Sequence, residues 1–290
     1  MDPMVPDRLV LAEEPRRRAR KVPLMIPDDV VAAFARDGVV CLRSVLDAGQ
    51  VAAAADAIEA VLAAPGPLAQ VASGAGDPGA FVEDFCRWQE IPQIERLARY
   101  SRVPGLAAAL MATPQVRFYH DHILVKEAAT AQRTPWHQDQ PYYNVDGRGV
   151  SAWIPVDPVP AGGCLELVAG SHRGPWLMPR TFLRKEARWF PEGSLAELPD
   201  IDADRGAFDI RQFDLQPGDA IFFDFLTVHG APGFGYQTRR RILSLRYLSA
   251  DVRHAPRAWR TSPPYDDLAA ELPAGAAMDH PLFPVVWPAA

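Results

Sequence analysis

The chain has 290 residues, 48% of them hydrophobic and 23% charged, which is enough apolar material for one large or two small globular domains. A net charge of -6 gives no electrostatic reason to expect nucleic acid, so a small molecule is the expected partner. No apolar run is long enough for a membrane-spanning helix, and three scattered cysteines without CxxC spacing predict neither disulfides nor a thiolate zinc site, which fits a reducing cytoplasm.

Residues 1–23 carry a basic run (Arg16, Arg17, Arg18, Arg20, Lys21) with no apolar segment behind it, and read as a disordered, solvated tail rather than a leader or nucleic-acid signal. Pro27-Asp28-Asp29 opens a helical pattern that Gly38 stops, and a β-rich run follows from Val39 to Val45. Asp47 is placed to cap an alanine-rich helix from Gln50 to Ala63, which Pro65-Gly66-Pro67 ends. Further helices are expected over Ile91 to Ser101 and Pro104 to Ala112.

From Gln115 the texture changes to short β-like runs separated by turns: Val116 to Lys126, Trp136 to Gln140, Ser151 to Val156, Cys164 to Val168, Ala220 to Leu226 and Arg241 to Leu248. Helices first and then many short strands predict an α+β chain. Its core would be a jelly-roll, a cupin-like double-stranded β-helix, with the N-terminal helices packed outside. Two segments fall outside this pattern. Residues 175–211, with Trp176, Phe182, Trp189 and Phe190, form a long insertion between barrel strands, either a lid or a helical surface addition. Residues 253–290 are proline-rich and are expected to wrap the outside.

His137 and Asp139 lie two residues apart, and His229 follows ninety-two residues after the first. On an extended strand such a pair points to one side, so both side chains can reach one ion, with the third ligand coming from a neighbouring strand. Two imidazoles and one carboxylate on one face of an octahedral ion are the facial triad of non-haem Fe(II) oxygenases. The pair alone is weak evidence, because a His followed two later by an acid is expected about once by chance at this composition.

The order of motifs is more specific. Leu124-Val125-Lys126, Thr134 to Asp139, Ala152-Trp153-Ile154-Pro155, Gly163 to His172, and Gln216-Pro217-Gly218-Asp219 through His229 to Arg240 together resemble the phytanoyl-CoA dioxygenase family of Fe(II)/2-oxoglutarate-dependent oxygenases over about residues 24–252. The resemblance implies a single oxygenase domain there, Fe(II) on His137, Asp139 and His229, 2-oxoglutarate as cosubstrate, and O2 as oxidant.

It also implies that an arginine eleven residues after the distal histidine holds the far carboxylate of 2-oxoglutarate. That residue is Arg240, whose planar fork suits a carboxylate. Arg239, Arg240 and Arg241 stand together, however, so strand register decides which of Arg240 and Arg241 faces inward. Ile242, Ser244 and Arg246 share the side of Arg240 and read as a polar barrel interior, which adds Arg246 to the substrate candidates. Leu243, Leu245 and Tyr247 share the side of Arg241 and read as packing.

Trp153 matches a family tryptophan beside the cosubstrate, and serves equally well as core. His120, His122 and Lys126 share one strand face leading to the site. The family places cosubstrate or substrate contacts on that strand, with His122 the first choice against a core role. Tyr142 and Tyr143 are candidates for the substrate pocket or its rim, and His172 reads as structural. Relatives with Glu-Asn-Gly have Ala161-Gly162-Gly163 here, and Ala231 replaces a frequent serine, so a cosubstrate hydrogen bond supplied there elsewhere is missing. Asp139 is retained, which disfavours the halogenating variant of the chemistry.

The expected reaction is hydroxylation of a small molecule with release of succinate and CO2. The Ala-, Arg-, Pro- and Gly-rich composition fits a GC-rich bacterial gene and, with it, secondary metabolism. Two rival readings are a cupin-like metal-dependent hydrolase or isomerase and a non-catalytic jelly-roll binding module. Oxygen-dependent succinate formation separates the first, and iron binding without 2-oxoglutarate affinity would favour the second. Either a monomer or a homodimer is compatible with the sequence.

Overall fold

The computed structural model describes residues 26–74, 76–178, 190–191, 193–233 and 238–288. The tail 1–23 with its basic run, and Phe182 and Trp189 of the insertion, lie outside the described residues. The helices are α1 (Asp28–Asp37), α2 (Ala48–Ala63), α3 (Pro92–Tyr100), α4 (Val103–Leu110) and the short α5 (Leu268–Glu271). The strands are β1 (Val39–Leu42), β2 (Gln70–Val71), β3 (Phe81–Phe85), β4 (Val116–Lys126), β5 (Thr134–His137), β6 (Val145–Asp146), β7 (Gly149–Pro155), β8 (Glu166–Val168), β9 (Ile210–Arg211), β10 (Ala220–Asp224), β11 (His229–Ala231), β12 (Arg240–Ser249), β13 (Arg253–His254) and β14 (Val285–Trp287).

The helical ends follow local chemistry. Asp47 accepts from the Gln50 amide at 2.8 Å while the Gln50 side chain accepts from the Asp47 amide at 3.1 Å, a reciprocal cap that satisfies two donors at the start of α2. Gly38 ends α1 at φ 73°, and a Cβ there would collide with His172 and Thr227, so glycine is required both by conformation and by space. His172 is thus packed against the end of α1, its Nε2 3.3 Å from the Ala35 carbonyl.

The strands form two main antiparallel sheets. The larger runs β1-β10-β7-β12-β4-β3-β2, with β14 also on β4, and the smaller runs β5-β11-β8-β9. This is the jelly-roll arrangement, with a helical layer on one outer face. The two-residue alternation of each strand sorts its side chains between the layers. Leu243, Leu245 and Tyr247 of β12, Ala152 and Ile154 of β7, and Ile123 and Val125 of β4 all face the helices. There they share one core with Ala54, Ala57, Ile58 and Val61 of α2. The intervening Ser151, Trp153, His122, Leu124, Arg240 and Arg246 point the other way, between the sheets.

One expectation is corrected. The strand foreseen over Trp136 to Gln140 ends at His137. Asp139 has helical backbone angles (φ -72°, ψ -41°) and precedes a tight turn at Gln140–Tyr142, where Pro141 has no amide to give to a ladder.

Residues 253–290 do more than wrap the outside. β13 pairs with β6 and β14 with β4, while Leu268, Leu272, Met278 and Phe283 build a core with Tyr119, Tyr143 and Phe225. The described part of the insertion contains no α-helix. Its Ile201, Leu177, Leu198, Phe208 and Ile210 pack with Trp136, Val168 and Val228 on the outer face of the smaller sheet.

Candidate metal centre

β5 and β11 pair so that His137 and His229 are direct partners across the ladder, with ring centroids 4.2 Å apart. The same local device orients both rings. His137 Nδ1 is 2.8 Å from the carbonyl of Pro135, and His229 Nδ1 is 2.9 Å from that of Thr227, each two residues upstream. A carbonyl only accepts, so each Nδ1 carries the proton and each Nε2 keeps its lone pair for an ion. Both Nε2 atoms lie 3.7 Å from Asp139 Oδ1.

The carboxylate arrives from the turn after β5, not from an extended i, i+2 pair. Gln138 anchors that turn by donating to the Leu226 carbonyl at 2.9 Å and accepting from the Leu177 amide at 2.8 Å. Ser151 Oγ donates to Asp139 Oδ2 at 2.8 Å, and Arg246 Nη2 stands 3.7 Å from the same oxygen. Burial opposes the charge on Asp139, but Arg246 and the two imidazoles outweigh it and hold the carboxyl well below its usual range. Burial, and then His137, push His229 down to about 3, so it is neutral and able to ligate at physiological pH.

These three side chains form the one group of potential metal-binding residues among the described residues, with ligand atoms within 4.8 Å of one another. An imidazole pair with fixed tautomers and an ionised carboxylate suit a divalent ion such as Fe(II).

The triad opens into a cavity of about 120 Å³ between the sheets. Arg240, 3% exposed, lines it. Its guanidinium donates to the Gly163 carbonyl and lies 5.6 Å from the centre of the Trp153 ring. Burial lowers Arg240 to about 10, so it stays cationic at neutral pH. Arg241 faces the opposite side, where it pairs with Asp157 at 2.7 Å and Glu59 at 2.8 Å. Trp153, Tyr142, Tyr143, His122 and Arg246 also line the cavity.

Two candidates do not. His120 is buried with its ring 5.3 Å from that of Tyr143, and its Nδ1 approaches the Asp121 carbonyl at 3.1 Å. Lys126 lies over the Phe81 ring, donating to the carbonyls of Gln132 at 2.6 Å and Pro232 at 3.1 Å. A long amine whose strand ends beside two uncapped carbonyls is captured by them before it can reach the cavity.

Sequence reading passed over Ser151, Thr134, Phe223 and Glu83. Ser151 had a signal, a lone hydroxyl on the Trp153 face of an apolar strand. Thr134 is the cross-strand partner of Ala231, and both line the cavity, so a hydroxyl stands beside the position where the frequent serine is lost. Glu83 sits in a segment with no evident strand pattern.

A phytanoyl-CoA dioxygenase (PhyH) family model matches residues 34–241. The peroxisomal phytanoyl-CoA dioxygenase of Rattus norvegicus is 26% identical over 178 residues, covering 57% of this chain and 50% of its own. The methylphosphonate hydroxylase of Gimesia maris is 28% identical over 155 residues, covering 53% of each. The chain thus spans about half the length of these curated relatives.

Among solved structures, the non-heme alpha ketoglutarate dependent carbocyclase SnoK from nogalamycin biosynthesis superposes with a TM-score of 0.70 at 23% identity. The match covers 90% of this chain and 96% of that one. EctD from S. alaskensis with 2-oxoglutarate and 5-hydroxyectoine reaches 0.60 at 22%, covering 82% and 80%. Identities this low establish a shared jelly-roll fold. The family match, which spans well over half of the 290 residues, establishes more: this chain belongs to the phytanoyl-CoA dioxygenase family.

Proposed function

We propose that the protein is an Fe(II)- and 2-oxoglutarate-dependent oxygenase that hydroxylates a small molecule. The observation that carries this reading is the convergence of His137, Asp139 and His229 on one buried cavity that also contains Arg240. In this reading the two Nε2 atoms and the Asp139 carboxylate hold Fe(II), and Arg240 holds the far carboxylate of 2-oxoglutarate.

With O2, the bound metal and cosubstrate supply the oxidising power, 2-oxoglutarate leaving as succinate and CO2. The chain's own work is positional. Ser151 and Arg246 fix the Asp139 carboxylate, the Pro135 and Thr227 carbonyls fix the imidazoles, and Gly163 and Trp153 hold the guanidinium of Arg240 in place. Leu124, Leu165, Phe223 and Ala231 add apolar wall that excludes water.

A small-molecule substrate is supported by relatives named for methylphosphonate and phytanoyl-CoA, and by fold neighbours from nogalamycin biosynthesis. The fold is shared with a carbocyclase and an epimerase as well. Anaerobic addition of Fe(II) and 2-oxoglutarate should give a weak visible charge-transfer band that is lost on substituting His137 by Ala. A folded protein that binds Fe(II) yet shows no band would refute the reading.

A further inference from the structure

The cavity contains a second carboxylate that neither the metal nor the cosubstrate uses. Glu83, in the middle of β3, is 3% exposed and lines the cavity beside Phe85 and His122. Its Oε2 accepts from Gln70 Nε2 at 3.1 Å, and its Oε1 lies 3.3 Å from His122 Nε2. Arg246 Nη2 approaches the other nitrogen of that ring, Nδ1, at 3.2 Å. A guanidinium only donates, so Nδ1 accepts and the ring proton belongs on Nε2, facing Glu83. His122 therefore meets Glu83 as a neutral group.

No lysine or arginine among the described residues pairs with Glu83. Lys126 is engaged by two carbonyls, and Arg246 turns to the Tyr143 hydroxyl at 2.9 Å and to Asp139. A buried carboxylate without an ion-pair partner is costly, and the neutral hydrogen bond from Gln70 offsets only part of that cost. Glu83 carries this burden on the wall of a ligand cavity, where an incoming molecule can relieve it.

We propose that Glu83 is a specificity residue that selects a substrate bearing a protonated amine, which it seats at the Gln70 and Phe85 end of the cavity. An ammonium brings both the donors and the missing positive charge. A hydroxyl brings a donor alone. The identity of the substrate as an oxidised small molecule rests on the oxygenase reading, whereas the amine site itself does not depend on iron.

The test compares benzylamine, protonated at pH 7, with benzyl alcohol of nearly the same shape, titrated by saturation-transfer NMR into metal-free protein and into anaerobic protein carrying Fe(II) and 2-oxoglutarate. Benzylamine should bind at least about tenfold more tightly in both forms, with a contact from its methylene to Phe85. Glu83→Gln should abolish the preference, lowering benzylamine affinity by about tenfold or more and benzyl alcohol affinity by much less. Equal affinity for the two probes, a preference that survives Glu83→Gln, or an amine located away from Phe85 would each overturn the proposal.

Should Glu83→Gln fail to fold, the wild-type probe pair and the Phe85 contact decide alone. Amine preference without a charge-transfer band removes the oxygenase reading and leaves the amine site standing. A band without amine preference does the reverse.

Discussion

Ser151 Oγ reaches across the barrel to Asp139 Oδ2, leaving Oδ1 at 3.7 Å from both imidazole Nε2 atoms. This hydroxyl on β7, together with Arg246 at 3.7 Å from Oδ2, thus turns Oδ1 toward the two imidazoles. Ser151→Ala should weaken Fe(II) binding by about 10- to 100-fold, the usual consequence of losing a partner behind a metal ligand, with little change in thermal stability. Competition against a chromophoric chelator measures this. Unaltered affinity would show that Arg246 alone suffices to orient Asp139.

Arg240 and Arg241 are adjacent in sequence and opposite in role. Arg240→Met should raise the dissociation constant for 2-oxoglutarate by about 10- to 150-fold, the loss expected for a charged hydrogen-bonded contact. Arg241→Met removes a largely buried pair with Asp157 and a more exposed one with Glu59, and should lower stability by about 1 kcal/mol while leaving cosubstrate affinity nearly unchanged. Calorimetric titration of 2-oxoglutarate into the two variants checks both statements, and a reversed pattern would assign the cosubstrate site to the wrong strand face.

The parts of the fold that were legible in the sequence are those governed by a period or a cap. The alternation of Leu243, Leu245 and Tyr247 with Ser244 and Arg246 correctly predicted the two faces of β12, and Asp47 correctly marked the start of α2. The convergence of His137, Asp139 and His229 was also legible, but the reason given for it was wrong at Asp139, since a turn anchored by Gln138 is a tertiary contact that spacing does not encode. The strand bearing Glu83 was missed because Phe81 to Phe85 places two acids inside a short aromatic run, which reads as a surface loop until the cavity is seen. The C-terminal core was missed because prolines separate Leu272, Met278 and Phe283, so no periodic signal marks them.

Lys126 makes the stability of the protein depend on pH in a predictable direction. Burial, followed by repulsion from Arg240, brings its amine down to about 6, well below the usual lysine value. Between about pH 6 and 10 the unfolded chain therefore binds a proton that the folded chain does not, and this group destabilises the fold progressively as pH falls through that window. Lys126→Met should flatten the dependence, the difference in slope between wild type and variant approaching about 1.4 kcal/mol per pH unit at most. Denaturant melts at pH 7, 8 and 9 provide the comparison, and parallel curves would mean that the buried amine stays protonated.

Among the described residues, two ion pairs tie the insertion to the smaller sheet and the segment leading into it: Arg133 with Asp202 at 3.2 Å, and Arg205 with Glu166. Arg205 Nη2 lies 2.6 Å from Glu166 Oε1, and Glu166 pairs with Gly230, the residue next to His229 on β11. Glu166 is buried whereas Arg205 is 42% exposed, so removing the arginine strands a carboxylate within the sheet, while removing the acid merely releases a cation to solvent. Arg205→Ala should cost about 1–2 kcal/mol, less than a fully buried pair because solvent already screens the guanidinium, and should speed proteolytic cleavage within 190–211. Adding Glu166→Gln to Arg205→Ala should restore part of the loss, because the remaining neutral amide no longer demands a counter-charge. If the double variant is no more stable than Arg205→Ala, the insertion is held by its apolar contacts with Trp136 and Val228 and the ion pair is incidental.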